Sequence, residues 1–139
     1  MNDDFIKWND NIYSVGSDVI DNEHKELIHI INKLFNAFSE GKAEDIVPVI
    51  IKELSTYTQK HFKTEENLFE THNYPDKENH IAKHQDFINQ IEIWKNKMNQ
   101  GEKNIHYELM DFLKTWITEH LQKEDKSYDT YFKEKNIQI

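Results

Sequence analysis

The chain has 139 residues, of which eight are His, three are Gly, two are Pro and none is Cys, and this length predicts a single domain with one core. Its net charge of −9 and its lack of Arg disfavour nucleic acid and anionic membranes as partners. The absence of Cys excludes disulfides, thiolate metal sites and a Cys nucleophile. Because Gly and Pro are too scarce for the turns of a many-stranded protein, we predict an all-α fold.

The sequence has no targeting feature that we recognise. Its first four residues are acidic in character, and no apolar run approaches the length of a membrane span. We therefore expect no signal peptide, no transmembrane helix and a cytoplasmic location. The modest apolar content, 37%, gives no hint of a large interface, so we expect a monomer.

The first predicted elements are an arm and a helix. Residues 1–17 show no sustained periodicity and predict an N-terminal arm, and Ser17 or Asp18 can cap a helix over about 18–40 that Gly41 ends. Side chains in this helix recur at alternating steps of four and three, which is the spacing of one helix face. The residues on that face are Ile20, His24, Leu27, Ile31, Leu34 and Phe38.

Three further helices follow, each with the same spacing of apolar and histidine side chains. Their predicted bounds are about 44–73, 76–100 and 104–123. The tail over 126–139 contains aromatic residues and is either a further short helix or frayed. Four helices with short connections predict an antiparallel up-and-down four-helix bundle with an N-terminal arm.

Ionisable side chains occupy core positions on these helix faces, where burial is costly unless the group is paired or bound to a metal. They lie near the start of the first helix, the end of the second, the start of the third and the end of the fourth. In an antiparallel bundle these four places meet at one end, and apolar residues such as Phe38 and Trp94 are expected to fill the other. The ionisable residues are His24, His61, Glu65, His80, His84 and His120.

Spacing along the helices supports this convergence. His61 with Glu65, and His80 with His84, are four residues apart, so each pair is stacked on one face about one turn apart. A single His-x3-His pair is weak evidence, because it arises often by chance in a chain this rich in His. The combination of face position and shared level carries the prediction.

The number of nitrogen and oxygen donors indicates more than one metal ion. A tetrahedral zinc takes four ligands, so two ions bridged by carboxylates fit better. Imidazole and carboxylate suit iron among other first-row ions without selecting it. Asp125 is a further candidate, but it follows His120 by five residues and lies about 140° away on an ideal helix. It can join the cluster only if the fourth helix is distorted or ends there.

These residues resemble the hemerythrin family, in particular its stand-alone bacterial members. The resemblance covers nearly the whole chain, and Trp8 and the pair Val15-Gly16 are similar to the family's arm. The ordered combination of one His, His-x3-Glu, His-x3-His and His-x4-Asp is highly specific, and no ligand position departs from it. The matching segments are Asp21–His24, His61–Glu66, His80–His84 and His120–Asp125.

The resemblance implies a di-iron site without haem. By position, His24 and His61 would be terminal ligands of one iron. Glu65 and Asp125 would bridge the two irons together with an oxo or hydroxo group, because in the family an Asp at the end of the last helix does so. The terminal ligands of the other iron would be His80, His84 and His120.

The function that the resemblance implies is reversible binding of dioxygen, for storage, delivery or transport, and no enzymatic activity. Oxygen would bind at the iron with fewer imidazoles, in a tight apolar pocket that admits no reductant or extra acid. The residues expected to form the walls of this pocket are Leu27, Phe62, Trp116 and Leu121. Trp8 is expected to cover the pocket as a lid.

Two other functions use the same ligands and stay open. One is oxygen, redox or nitric oxide sensing through a separate partner protein, and the other is a di-iron peroxidase or reductase activity. Around the ligands, we expect Glu66 and Glu124 to be solvated and Glu23 to accept a hydrogen bond from a ligand imidazole. The other three histidines, His29, His72 and His106, are expected to pack in the fold or lie on the surface. For His72, a position at the mouth of the pocket is an alternative.

Overall fold

The computed structural model describes residues 5–139, and within this range it contains helices and no strand. A short helix, α1 (Asp10–Tyr13), lies in the predicted arm, whose first four residues are outside the described part. Helix α2 packs on α3, α3 on α4, and α5 against all three. The predicted all-α, antiparallel up-and-down four-helix bundle is confirmed. The four long helices are α2 (Asp18–Ser39), α3 (Ala43–His72), α4 (Lys77–Asn99) and α5 (Ile105–Trp116).

The fourth helix of the bundle does not end where the sequence suggested. Helix α5 passes directly into a π-helical segment, Ile117–Glu124, and then into α6, Asp125–Glu134. The predicted end near residue 123 is therefore wrong, and the first two-thirds of the tail over 126–139 is helical. A π-helix is rare and is frequently found at functional sites, so this segment directs attention to its end of the bundle.

The start of α2 is held by side chains of the arm. The Ser17 hydroxyl accepts the N–H of Ile20 at 3.3 Å, as the sequence predicted for an N-cap. The Asp21 carboxylate accepts the hydroxyl of Ser14 at 2.6 Å and the N–H of Val15 at 2.9 Å. These bonds fix the first turn of α2. His24 lies on the next turn of the same helix.

The main core fills the middle and one end of the bundle. Leu34, Leu54 and Trp94 are fully buried there. Phe38 was expected in the same core, but it lies in the last turn of α2 and is 41% exposed. Its ring instead lies beside the exposed Tyr107 at the rim of the bundle, with the ring centroids 6.0 Å apart.

A second, smaller core closes the opposite end and is built largely from α6 and the segments that it contacts. Its buried residues are Val15, Ile20, Phe69, Tyr74, Tyr128 and Phe132. The predicted ionisable residues lie between the two cores. In residues 5–139, no helix combines the length and the apolar character that crossing a membrane requires.

Candidate metal centre

The seven predicted ligand side chains meet in the structure, and each is at most 2% exposed. Their donor atoms form two groups that share Glu65, and within each group all donor atoms lie within 4.8 Å of one another. The first group is His24, His61, Glu65 and Asp125. The second group is Glu65, His80, His84 and His120.

Two carboxylates span both groups. Glu65 places Oε1 3.0 Å from His84 Nε2 and Oε2 3.7 Å from His24 Nε2. Asp125 places Oδ1 2.9 Å from His80 Nε2 and Oδ2 3.1 Å from His24 Nε2. Asp125 thus presents its two oxygens to different imidazole groups, whereas Glu65 Oε1 lies between the groups, because it is also 3.4 Å from His61 Nε2. Both carboxylates therefore lie where they could bridge two ions.

The unpartnered donor atoms test whether these residues fit a metal. Buried polar atoms normally have hydrogen-bond partners, yet in the part of the chain that the structure describes these have none. Two ligand atoms about 2.1 Å from one ion and at right angles to each other are about 3 Å apart, as the closer pairs here are. The residues therefore fit a pair of first-row metal ions with nitrogen and oxygen ligands. The unpartnered atoms include Nε2 of His24, His80, His84 and His120, Oε1 of Glu65 and both oxygens of Asp125.

Asp125 reaches the site because of the π-helical segment. The N–H of Asp125 donates to the carbonyl of His120, five residues earlier. In a π turn, residues five apart lie above each other, as residues four apart do in an α-helix. The structure therefore shows the distortion that the five-residue spacing demanded, and Asp125 Oδ1 lies 3.1 Å from His120 Nε2.

The ring orientation of His61 is set from outside the metal site. His61 Nδ1 donates to the Glu23 carboxylate at 2.9 Å, and the Thr64 hydroxyl donates to the same carboxylate at 3.2 Å. Glu23 is 5% exposed and lies on α2, beside the ligand His24. This acceptor role for Glu23 was expected from the sequence. It holds Nε2 of His61 free to face the metal.

Two glutamates that were expected to be solvated also face ligand imidazoles. His84 Nδ1 donates to Glu66 at 3.0 Å, and Glu124 lies 3.6 Å from His120 Nδ1. The side chain of Glu66 is 34% exposed to solvent, and that of Glu124 is 28% exposed. The expectation of solvated side chains is therefore wrong, because each glutamate adjoins a ligand in sequence and shares the side of the helix that faces the neighbouring imidazole.

Tyr128 is a site residue that the sequence reasoning missed. It is fully buried, and its hydroxyl donates to Glu65 Oε2 at 2.6 Å. Its ring packs edge-on against Phe69, which in turn packs against His80. Tyr128 follows Asp125 by three residues and so shares its helix face, but this signal is visible only once the tail is known to be helical.

The predicted oxygen-pocket residues lie in the main core next to the ligands. Leu27, Phe62 and Leu121 are at most 3% exposed, and Trp116 is 8% exposed. Phe62 stacks on His84 with ring centroids 3.9 Å apart, and Trp116 stacks on His120 at 4.0 Å. These two rings therefore cover the three-histidine group, and Phe62 also touches His61. The half-buried Trp8 packs at the edge of the same core.

The remaining histidines lie outside both ligand groups. His29 is exposed, and His72 is half-buried with its ring edge-on to Phe132. His106 is buried at the opposite end of the bundle beside Tyr107.

Without a metal, protons on the imidazoles balance the buried carboxylates. Burial lowers the pKa of His24, but the nearby carboxylates of Asp125 and Glu65 outweigh burial and raise the pKa to about 10. The same opposing causes raise the pKa of His80 to about 10. Burial raises the pKa of Glu65. The imidazoles of His61, His24 and His80 outweigh burial and hold this pKa well below its ordinary value.

We predict that the metal-free protein loses stability as the pH rises from 6.5 to about 10. His24 and His80 bind protons more tightly in the folded state than in the unfolded state, where their pKa is near 6.5. Their contribution is complete below pH 6.5 and disappears as the pH passes the folded pKa. Urea denaturation of chelator-treated protein at several pH values measures this change in the free energy of unfolding. In the control variant His24→Gln, the free energy of unfolding should depend less steeply on pH. A stability that is constant or rises over this range would contradict the assignment.

We also predict that Glu23→Ala weakens metal binding about 10- to 100-fold, because the His61 ring loses the acceptor that orients it. Titration of metal-free protein against a competing chelator measures this affinity. The matched control is Glu26→Ala, an exposed residue on the same helix. Equal affinities in the two variants would show that Glu23 does not orient a ligand.

Comparisons with known proteins agree with this geometry. The sequence-family model of the hemerythrin HHE cation-binding domain matches residues 15–130 of this chain. A bacteriohemerythrin of Clostridium acetobutylicum is 34% identical over 126 residues, covering 87% of this chain and 96% of that protein. One from Pseudomonas aeruginosa is 33% identical over 123 residues, covering 88% and 78%. The crystal structure of a wild-type hemerythrin superposes with a TM-score of 0.80 at 24% identity, covering 91% of this chain and 96% of that one. The chain belongs to the hemerythrin family.

Proposed function

We propose that the protein binds dioxygen reversibly at a pair of iron ions held by the two ligand groups, with Glu65 and Asp125 as bridges. The observation that carries this proposal is the inequality of the groups. The first offers two imidazoles, from His24 and His61, and the second offers three. An ion held by the first group would therefore have one imidazole fewer than its neighbour, which would leave more room for an outside ligand.

The identity of the metal is inferred from the family and from the donors. Five imidazoles and two carboxylates suit iron among the first-row ions. Two ferrous ions, two carboxylates and one hydroxide would leave a formal charge of about +1, which a buried site tolerates better than the bare carboxylates. Oxygen-activating di-iron bundles hold their ions with carboxylate-rich sets of Glu and Glu-x-x-His. The imidazole-rich set here favours binding over activation.

A bound iron pair supplies the electrons that dioxygen takes up and returns. The chain supplies positioning and protection. Glu23 and Glu66 hold the rings of His61 and His84 with the free nitrogens inward. Tyr128 holds one oxygen of Glu65.

The packing around the site restricts the entry of water and reductants. Phe62 and Trp116 lie flat against ligand imidazoles, and Leu27 and Leu121 are buried in the same core. Such a shell limits solvent access and lowers the local dielectric. Release of oxygen without net oxidation depends on that exclusion.

Reversibility is directly measurable. We expect the diferrous protein, prepared without oxygen, to gain a visible absorption band in air and to lose it under argon over repeated cycles. Glu65→Ala is the control, because loss of a bridge should bring iron well below two per chain and abolish the band. Immediate conversion to a stable oxidised form that argon does not reverse would contradict oxygen carriage and favour a redox enzyme or sensor.

A further inference from the structure

Tyr57 is a buried residue whose polar group the metal site does not use. It is 3% exposed, and its hydroxyl has no hydrogen-bond partner among residues 5–139. Leaving a buried hydroxyl unpaired costs about 1–3 kcal/mol. Native proteins satisfy nearly all such groups, so each exception requires an explanation.

The position of Tyr57 connects this hydroxyl with the metal site. Tyr57 precedes the ligand His61 by one turn of α3, about 6 Å along the axis. The two rings are nearly parallel, with centroids 5.1 Å apart and an angle of 19°. His61 in turn contacts the ring of His24 at 4.7 Å. The buried ring of Tyr57 therefore lies against the ligand group with fewer imidazoles.

Other unpartnered donors do not share this location. Outside the seven ligands, the described part of the chain has two more buried side-chain atoms without a partner, Trp94 Nε1 and His106 Nδ1. Trp94 lies near the end of α4 and His106 at the start of α5, which is the end of the bundle away from the metal site. Of these three unpartnered groups in the described residues, only the hydroxyl of Tyr57 belongs to a ring in contact with a ligand imidazole.

The hydroxyl of Tyr57 is in its neutral form at ordinary pH, because the usual pKa of a phenol is about 10 and burial raises the pKa of Tyr57 above it. A neutral phenol donates a hydrogen bond and keeps its proton. Tyr57 belongs to the same core as the apolar Leu27 and Phe62, and its hydroxyl has no acceptor within hydrogen-bond distance in the described residues.

We propose that the Tyr57 hydroxyl donates a hydrogen bond to the small outside ligand that occupies the open position beside His24 and His61. The ligand class is a diatomic or triatomic molecule with a lone pair at hydrogen-bond distance from the ring, such as dioxygen or azide. The bond retards release of the ligand and favours ligands that accept hydrogen bonds. For dioxygen as the ligand, this assignment rests on the proposed function. For azide, it requires only that the metal pair has an open coordination position.

The test compares Tyr57→Phe with a matched control, Tyr107→Phe, which removes a hydroxyl from a 57% exposed ring at the far end of the bundle. Azide is titrated into the oxidised, iron-loaded proteins and followed by visible absorption. A hydrogen bond to a charged ligand is worth enough to expect about tenfold weaker azide binding in Tyr57→Phe. Oxygen dissociation from the reduced protein should be about tenfold faster in the same variant.

A second readout separates ligand binding from folding. In the metal-free protein, removal of an unpartnered hydroxyl should leave stability unchanged or raise it, and iron content should match that of the wild type. Equal azide affinities in Tyr57→Phe and wild type would overturn the proposal. So would a loss of metal-free stability in Tyr57→Phe, which would show that the hydroxyl serves the fold.

The two proposals can fail separately. If the wild-type protein does not release oxygen reversibly, the proposed function fails, but the azide comparison still decides whether Tyr57 donates to the outside ligand. If oxygen binds reversibly and Tyr57→Phe binds azide like the wild type, only the role of Tyr57 fails.

Discussion

Two fully buried carboxylates, Glu65 and Asp125, set the electrostatic constraint on which the rest of the site depends. A carboxylate without solvent needs compensating positive charge within a few ångströms. The imidazoles of His24, His61, His80 and His120 supply it when they are protonated, and a pair of metal ions would supply it when they are not. The same cluster therefore accounts for the raised pKa of His24 in the metal-free state and for the affinity expected in the metal-bound state.

The fold meets this constraint by bringing four helix ends to one level between two apolar cores. Ligands come from the first turns of α2 and α4, the last turns of α3, the π-helical segment and, with Asp125, the first residue of α6. Glu23 and Glu66 contact imidazoles that belong to neighbouring helices, so each helix orients a ligand that another helix carries. Helix α6 then places Tyr128 on the bridging Glu65 and closes the end of the bundle.

The sequence predicted the four helices and six of the ligands because face position follows from spacing along a single helix. Asp125 was different, since five-residue spacing fits an α-helix badly and only the resemblance to a family favoured it; the π-helical segment now supplies the physical reason. The roles of Glu66 and Tyr57 depend on how neighbouring helices are rotated against each other. Spacing within one helix carries no information on that rotation, so such residues emerge only from the assembled bundle.

The central claim, that two metal ions share Glu65 and Asp125, is tested most directly by crystallography of the iron-loaded protein with anomalous diffraction at the iron edge. The account predicts two iron peaks, one beside His24 and His61 and the other among the remaining three histidines, with both carboxylates between them. A single peak, or two peaks with Asp125 turned away from both, would contradict it.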